Sequence, residues 1–114
     1  MAVLAVLLVG CGASTGSAVG PDVGCSADGT LDYRTFGAPF MRDWCTGCHS
    51  ADLMGDDRAG APVGVDFDSV AGVRSHLMLI QQRATGDAPT MPPKGPPGPA
   101  ERGLLEEWIA CGAP

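Results

Sequence analysis

Apolar residues recur along this chain in three stretches with a helical period. Phe36, Phe40 and Trp44 stand four residues apart and share one face of a helix near Thr35 to Cys48. Pro39 has no N–H to give and must fall in the first turn, so regular helix begins close to Gly37. A second stripe, Val70, Val73, Leu77, Ile80 and Ala84, predicts a helix over 69–84, with Asp68 as its N-cap and Gly86 as its stop. A third helix starts at Pro99 or Ala100, because proline suits the first helical position, and ends near Cys111 with Gly112 as its cap. Leu104, Leu105 and Trp108 form its buried face, and Glu101 in its first turn suits the helix dipole. No stretch reads as a strand, so the predicted class is all-α. Irregular chain lies between the helices at 50–67 and at 85–98, and the second of these is rich in proline from Met91 onward.

The chain opens differently. Met1 to Val9 is almost wholly apolar, and the first charge is Asp22. This run is too short to span a bilayer as a helix and matches the apolar core of a secretion signal. It ends in Leu8-Val9-Gly10-Cys11, which resembles the lipobox of bacterial lipoproteins. That resemblance implies that residues 1–10 are a signal removed on export and that Cys11 becomes a lipid-bearing N-terminus. A plain signal peptide or an apolar tail is the alternative. Several acyl chains would anchor the protein stably to a membrane. Residues 11–24 are small and nearly uncharged and read as a flexible tether reaching about 20 Å. The folded domain is then 25–114.

Composition narrows the picture. The 114 residues suit one domain. Seventeen glycines and ten prolines mean much loop, and the few aromatics make a modest core that a bulky apolar cofactor would fill out. Thirteen acids against seven bases argue against nucleic acid, since phosphate binding needs clustered Lys and Arg.

The strongest chemical signal is Cys45-Thr46-Gly47-Cys48-His49, with the C-x-x-C-H spacing of a c-type haem attachment site. Two thiols add across the two haem vinyl groups, and two intervening residues on a helical turn set the sulfur separation. The histidine that follows supplies an imidazole nitrogen to the iron. A thioredoxin-like dithiol would need a βαβ context, and no strand precedes Cys45. A tetrahedral zinc site would need a second ligand pair, and the other histidine is His76.

Candidates for a sixth iron ligand are Met41, Met54, Met78, Met91 and His76. Met41 precedes the motif on the same helix and reads as core. Met54 lies too few residues after His49 to reach across a haem plane. Met78 points away from the stripe of its helix, and His76 flanks that stripe and reads as structural. Met91 sits in a stiff proline-rich loop, far enough along the chain from His49 to wrap the other face, and is the expected ligand. A loop methionine filling a gap is the competing reading.

From about Phe36 to Ala110 the chain resembles class I cytochromes c of the small bacterial single-haem kind. The resemblance rests on Cys45–His49 near the start, Met91-Pro92 late, and a last helix with Leu105 and Trp108. Gly37 stands eight residues before Cys45, where the family has the glycine that lets the last helix cross closely. Met41, with Phe40 beside it, stands where the family usually has an aromatic. The resemblance implies a cytochrome c-like fold of three or more helices wrapped round one covalent haem c, with His49 and Met91 on the iron. It also implies a proline carbonyl that holds the other nitrogen of the histidine, with Pro62 as the counterpart. In that fold the first and last helices cross and bring Cys25 near Cys111. An oxidising compartment would allow these two to pair.

With both axial positions taken by protein, the expected function is electron transfer by an exported, membrane-tethered carrier on the periplasmic or cell-envelope side of a bacterial membrane. Its partners would be other redox proteins. A haem peroxidase or gas sensor needs an open sixth site, and a non-haem lipoprotein would leave Cys45 and Cys48 to pair with each other. A subunit of a larger dehydrogenase would keep the same chemistry. Lys94, the sole lysine, reads as a solvated loop charge.

Overall fold

The structure, a computed structural model, describes Cys25 and residues 31–114. The expected signal segment 1–10, the tether 11–24 and the lipid-bearing Cys11 lie outside these residues. Among the described residues every regular element is a helix, as the all-α expectation requires.

Helical chain begins earlier than Gly37. A π-helical turn, Tyr33–Gly37, runs directly into α1, Ala38–Trp44. Asp32 caps the π turn: its carboxylate accepts from the Thr35 backbone N–H at 2.7 Å, while the Thr35 hydroxyl accepts from the Asp32 N–H. This reciprocal cap satisfies donors that the first turn would otherwise leave unpaired. Pro39 lies in the first turn of α1, as its missing N–H demands. The α-helix proper ends at Trp44, so the segment 45–48 is a run of turns and not helix.

The expected helix over 69–84 is two helices, α2 (Val70–Arg74) and α3 (Leu77–Ala84). Side chains supply the physical reason. The Ser75 hydroxyl donates to Ala71 O at 2.8 Å and the His76 ring Nδ1 donates to Gly72 O at 2.9 Å. These local bonds compete with the helix ladder and interrupt it. Ser69, not Asp68, is the N-cap of α2, accepting from the Gly72 N–H at 3.1 Å. α4, Pro99–Ala110, has the predicted bounds. Past it, Gly112 takes a left-handed φ of 83° and the Ala113 N–H donates to Trp108 O at 2.9 Å, the paired bonding of a glycine-terminated helix. Leu105, Trp108 and Ile109 are the buried face of α4, whereas Leu104 turns out to be exposed.

The core joins Phe40 and Met41 of α1, Phe67, Val73 of α2, Ile80 and Ala84 of α3, and Leu105, Trp108 and Ile109 of α4. Trp108 is its centre. Tyr33 stacks on it with centroids 6.5 Å apart, and Phe36 meets it edge-on at 5.8 Å. Gly37 is what permits this: a Cβ there would collide with the six-membered ring of Trp108. The first helical segment and α4 therefore meet at Gly37 and Trp108. Cys25 and Cys111 form a disulfide that closes the domain across a sequence separation of 86. The end of the chain is tied in as well, because the Tyr33 N–H and the Arg74 Nε donate to Pro114 O and Ala113 O.

Candidate functional site

Cys45 follows the last residue of α1, and its N–H still donates to Met41 O at 2.8 Å. Four residues on, the His49 N–H donates to Cys45 O at 2.9 Å. The motif is thus closed into a hydrogen-bonded turn that follows directly on a helix anchored in the core by Phe40 and Met41. Cys45 and Cys48 are free thiols, both half-buried, and are not paired with each other. Burial pushes the Cys45 thiol up to about 12. It is therefore not a poised thiolate of the kind that a redox dithiol uses for attack.

The His49 imidazole meets Val65 and Phe67, and Phe67 also bonds the His49 main chain. Its Nδ1 lies 2.8 Å from Val65 O. A carbonyl oxygen only accepts, so Nδ1 carries the proton, and in the neutral ring Nε2 keeps its lone pair. The Phe67 ring lies tilted beside the imidazole with centroids 4.8 Å apart, and the Phe67 N–H donates to His49 O at 2.9 Å. The expected partner, Pro62, does not do this: Pro62 O instead accepts from Arg58 Nη2 at 2.7 Å. The turn from Pro62 to Val65 carries the chain past the imidazole and presents the later carbonyl to it.

The candidates for a further ligand separate by burial. Met54 and Met78 are 79% and 73% exposed, and Met41 is sealed in the core. Met91 is half-buried and packs against the core. The Thr90 and Met91 N–H groups both donate to Arg83 O, at 2.8 and 2.9 Å, which pins the loop to the end of α3. The Met91–Pro92 peptide bond is cis. From the other side Arg102 of α4 donates to Gly86 O and Pro97 O, at 3.2 and 2.7 Å. His76 has its Nδ1 committed to Gly72 O and meets the edge of Phe67 at 5.9 Å.

The donor set fits a c-type haem: two unpaired thiols two residues apart, an imidazole with Nε2 free, and a thioether on a separately anchored loop. Trp44, Cys45, Val65, Leu77 and Met91 are apolar side chains that pack on the core yet stay only partly buried, which also suits an apolar group. Among the described residues no group of three or more His, Cys, Asp or Glu side chains is arranged to hold a metal ion, so the zinc alternative has no ligand set there.

Sequence reasoning missed Val65, Phe67, Arg58 and Asp66. Phe67 had a signal, an apolar residue between two aspartates in an otherwise irregular stretch. Val65 acts through its main chain and leaves no side-chain signature. No protein-family model matches the chain, and no curated protein or solved structure matches it either.

Proposed function

We propose that this chain is a mono-haem c-type cytochrome that carries one electron at a time and has a cytochrome c-like fold wrapped round its haem. The observation that carries the reading is the Cys45–His49 turn, with both thiols free and the imidazole proton fixed on Nδ1 by Val65 O. Cys45 and Cys48 would hold the haem by thioethers, and His49 Nε2 and the Met91 sulfur would ligate its iron. When bound, the haem supplies a one-electron iron couple whose potential the axial ligands and the burial tune.

The chain's own residues account for the rest. Val65 O orients the imidazole and raises its basicity, as outer partners of metal-bound histidines do. Arg83 O and Arg102 hold the Met91 loop from two sides. Two protein ligands on the iron leave no place for a substrate, so the protein is a carrier and not an enzyme. The apolar start and Cys11 would place it on the cell-envelope side of a bacterial membrane, tethered by lipid, where it would serve redox partner proteins and not nucleic acid.

Carbon monoxide added to the reduced protein at neutral pH tests this. A His/Met carrier leaves the spectrum unchanged. A carbon monoxide complex formed at low micromolar gas would overturn the ligation and favour a gas-binding or peroxidase reading.

A further inference from the structure

Among the described residues Arg58 is the charged side chain that the fold buries, with 3% exposure, yet it ends a single 3-10 turn, Gly55–Arg58, in a surface loop that would ordinarily leave an arginine in water. A guanidinium has five N–H donors, and here each has an acceptor. Nε donates to Ala61 O at 3.1 Å. Nη1 donates to Ser50 O and, at 3.4 Å, to Leu53 O. Nη2 donates to Pro62 O and to Asp66 Oδ1, both at 2.7 Å. Val65 O lies a further 3.5 Å from Nη2.

These acceptors come from two places. Ser50 and Leu53 lie within four residues after His49; Ala61, Pro62, Val65 and Asp66 lie within six residues before Phe67. Arg58 therefore gathers the two ends of the loop that leaves His49 and returns to it. From the far side, Gly72 of α2 presses on Asp66 O so closely that a Cβ there would collide with it. Val65, whose carbonyl accepts the hydrogen bond from His49 Nδ1, immediately precedes Asp66, the residue that meets both Arg58 and Gly72.

We propose that Arg58, paired with Asp66, is a positioning residue for His49: it fixes Val65 O against Nδ1 and so sets the donor strength of the imidazole. The inference rests on the haem reading above for its redox consequence, but not for its geometry. Because the loop consumes the donors, Arg58 has none left for an anionic ligand or a docking partner. The surface pair Arg42–Asp43 makes the contrast, at 3.1 Å with both side chains largely exposed. A planar fork is required; lysine keeps the charge but offers a compact point donor that cannot serve acceptors spread round a plane.

The test compares wild type, Arg58→Lys and Asp66→Asn, with Arg42→Lys as control, in the full exported chain. Two quantities are read: the ¹⁵N shifts of the His49 ring, which report where the proton sits and how strongly it donates, and the reduction potential. Arg58→Lys leaves the local charge unchanged, so any change in potential reports the imidazole and not a lost cation. A weaker Nδ1–H bond makes His49 a poorer donor to ferric iron, so the potential rises and the Nδ1 signal moves toward that of a solvent-bonded ring. Asp66→Asn moves the ring signal the same way and keeps the test open if the lysine variant does not fold. Variants that lose thermal stability but keep the wild-type ring shifts and potential would overturn the proposal, leaving Arg58 a plain loop staple. A wild-type chain that emerges without covalent haem would sink the haem reading alone, and the ring shifts would still decide the role of Arg58.

Discussion

The stretch from Ser50 to Phe67, which carries the chain away from His49 and back, and the stretch from Thr85 to Gly98, which carries Met91, are both irregular but for the 3-10 turn Gly55–Arg58 in the first, and both serve a candidate ligand. They are held in different ways. The first closes on a buried guanidinium that spends its donors on main-chain oxygens and one carboxylate. The second is stiffened by its own prolines and fastened at its rims, by Arg83 O on one side and by the half-buried Arg102 on the other. Polar centres of the first kind fail together when one member is lost, whereas rim contacts fail one at a time. The histidine side is therefore the cooperative half of the site, and the methionine side is the half that can loosen without unfolding the rest.

The two loops should respond differently to substitution. Replacing both Cys25 and Cys111 by serine removes the closure that encloses the two loops alike, and should cost about 4–5 kcal/mol by chain entropy. Chemical denaturation checks this, and the loss should fall on the whole domain without favouring either loop. Arg58→Ala leaves the Asp66 carboxylate without its ion-pair partner and Ala61 O without its side-chain donor, and should cost about 3–5 kcal/mol, read by the same titration. Arg102→Ala should cost about 1.5–3 kcal/mol, the range for hydrogen bonds from a charged donor. It should weaken the optical signature of methionine on ferric haem while leaving the His49 ring shifts alone; the reverse pattern would refute the division of labour. The smallest effect is acid loosening of the histidine loop. The Ser50 hydroxyl first, then the Ala51 N–H, hold the Asp68 carboxyl below its ordinary value of 3.8. Its contribution is complete above that value and is lost as pH falls through the lower folded one. Asp68→Asn should therefore flatten the acid limb of a stability curve measured below pH about 4.

Much of the frame is legible from side-chain patterns. The Gly37 position, the buried Leu105 and Trp108, the bounds of α4 and the pairing of Cys25 with Cys111 all agree with the expectations drawn from the residues or from the family resemblance. The departures share a cause. The early start at Tyr33 depends on the Asp32–Thr35 cap, whose spacing is visible in the sequence but weaker than the helix-breaking signal of Pro39. The break between α2 and α3 comes from Ser75 and His76 bonding to the carbonyls behind them, a choice between equivalent local partners. Val65 in place of Pro62, and Arg58 as the hub, depend on where main-chain oxygens point, and no periodicity records that. Leu104 falls one position off the buried arc that Leu105, Trp108 and Ile109 define.

The proposed carrier stands or falls with covalent haem on Cys45 and Cys48. The most direct measurement is the intact mass and visible spectrum of the denatured chain after export alongside a cytochrome c maturation system, with a Cys45→Ser, Cys48→Ser double variant in parallel. One haem should stay with the denatured wild-type chain and none with the variant. A wild-type chain that is exported, folded and free of covalent haem would contradict it.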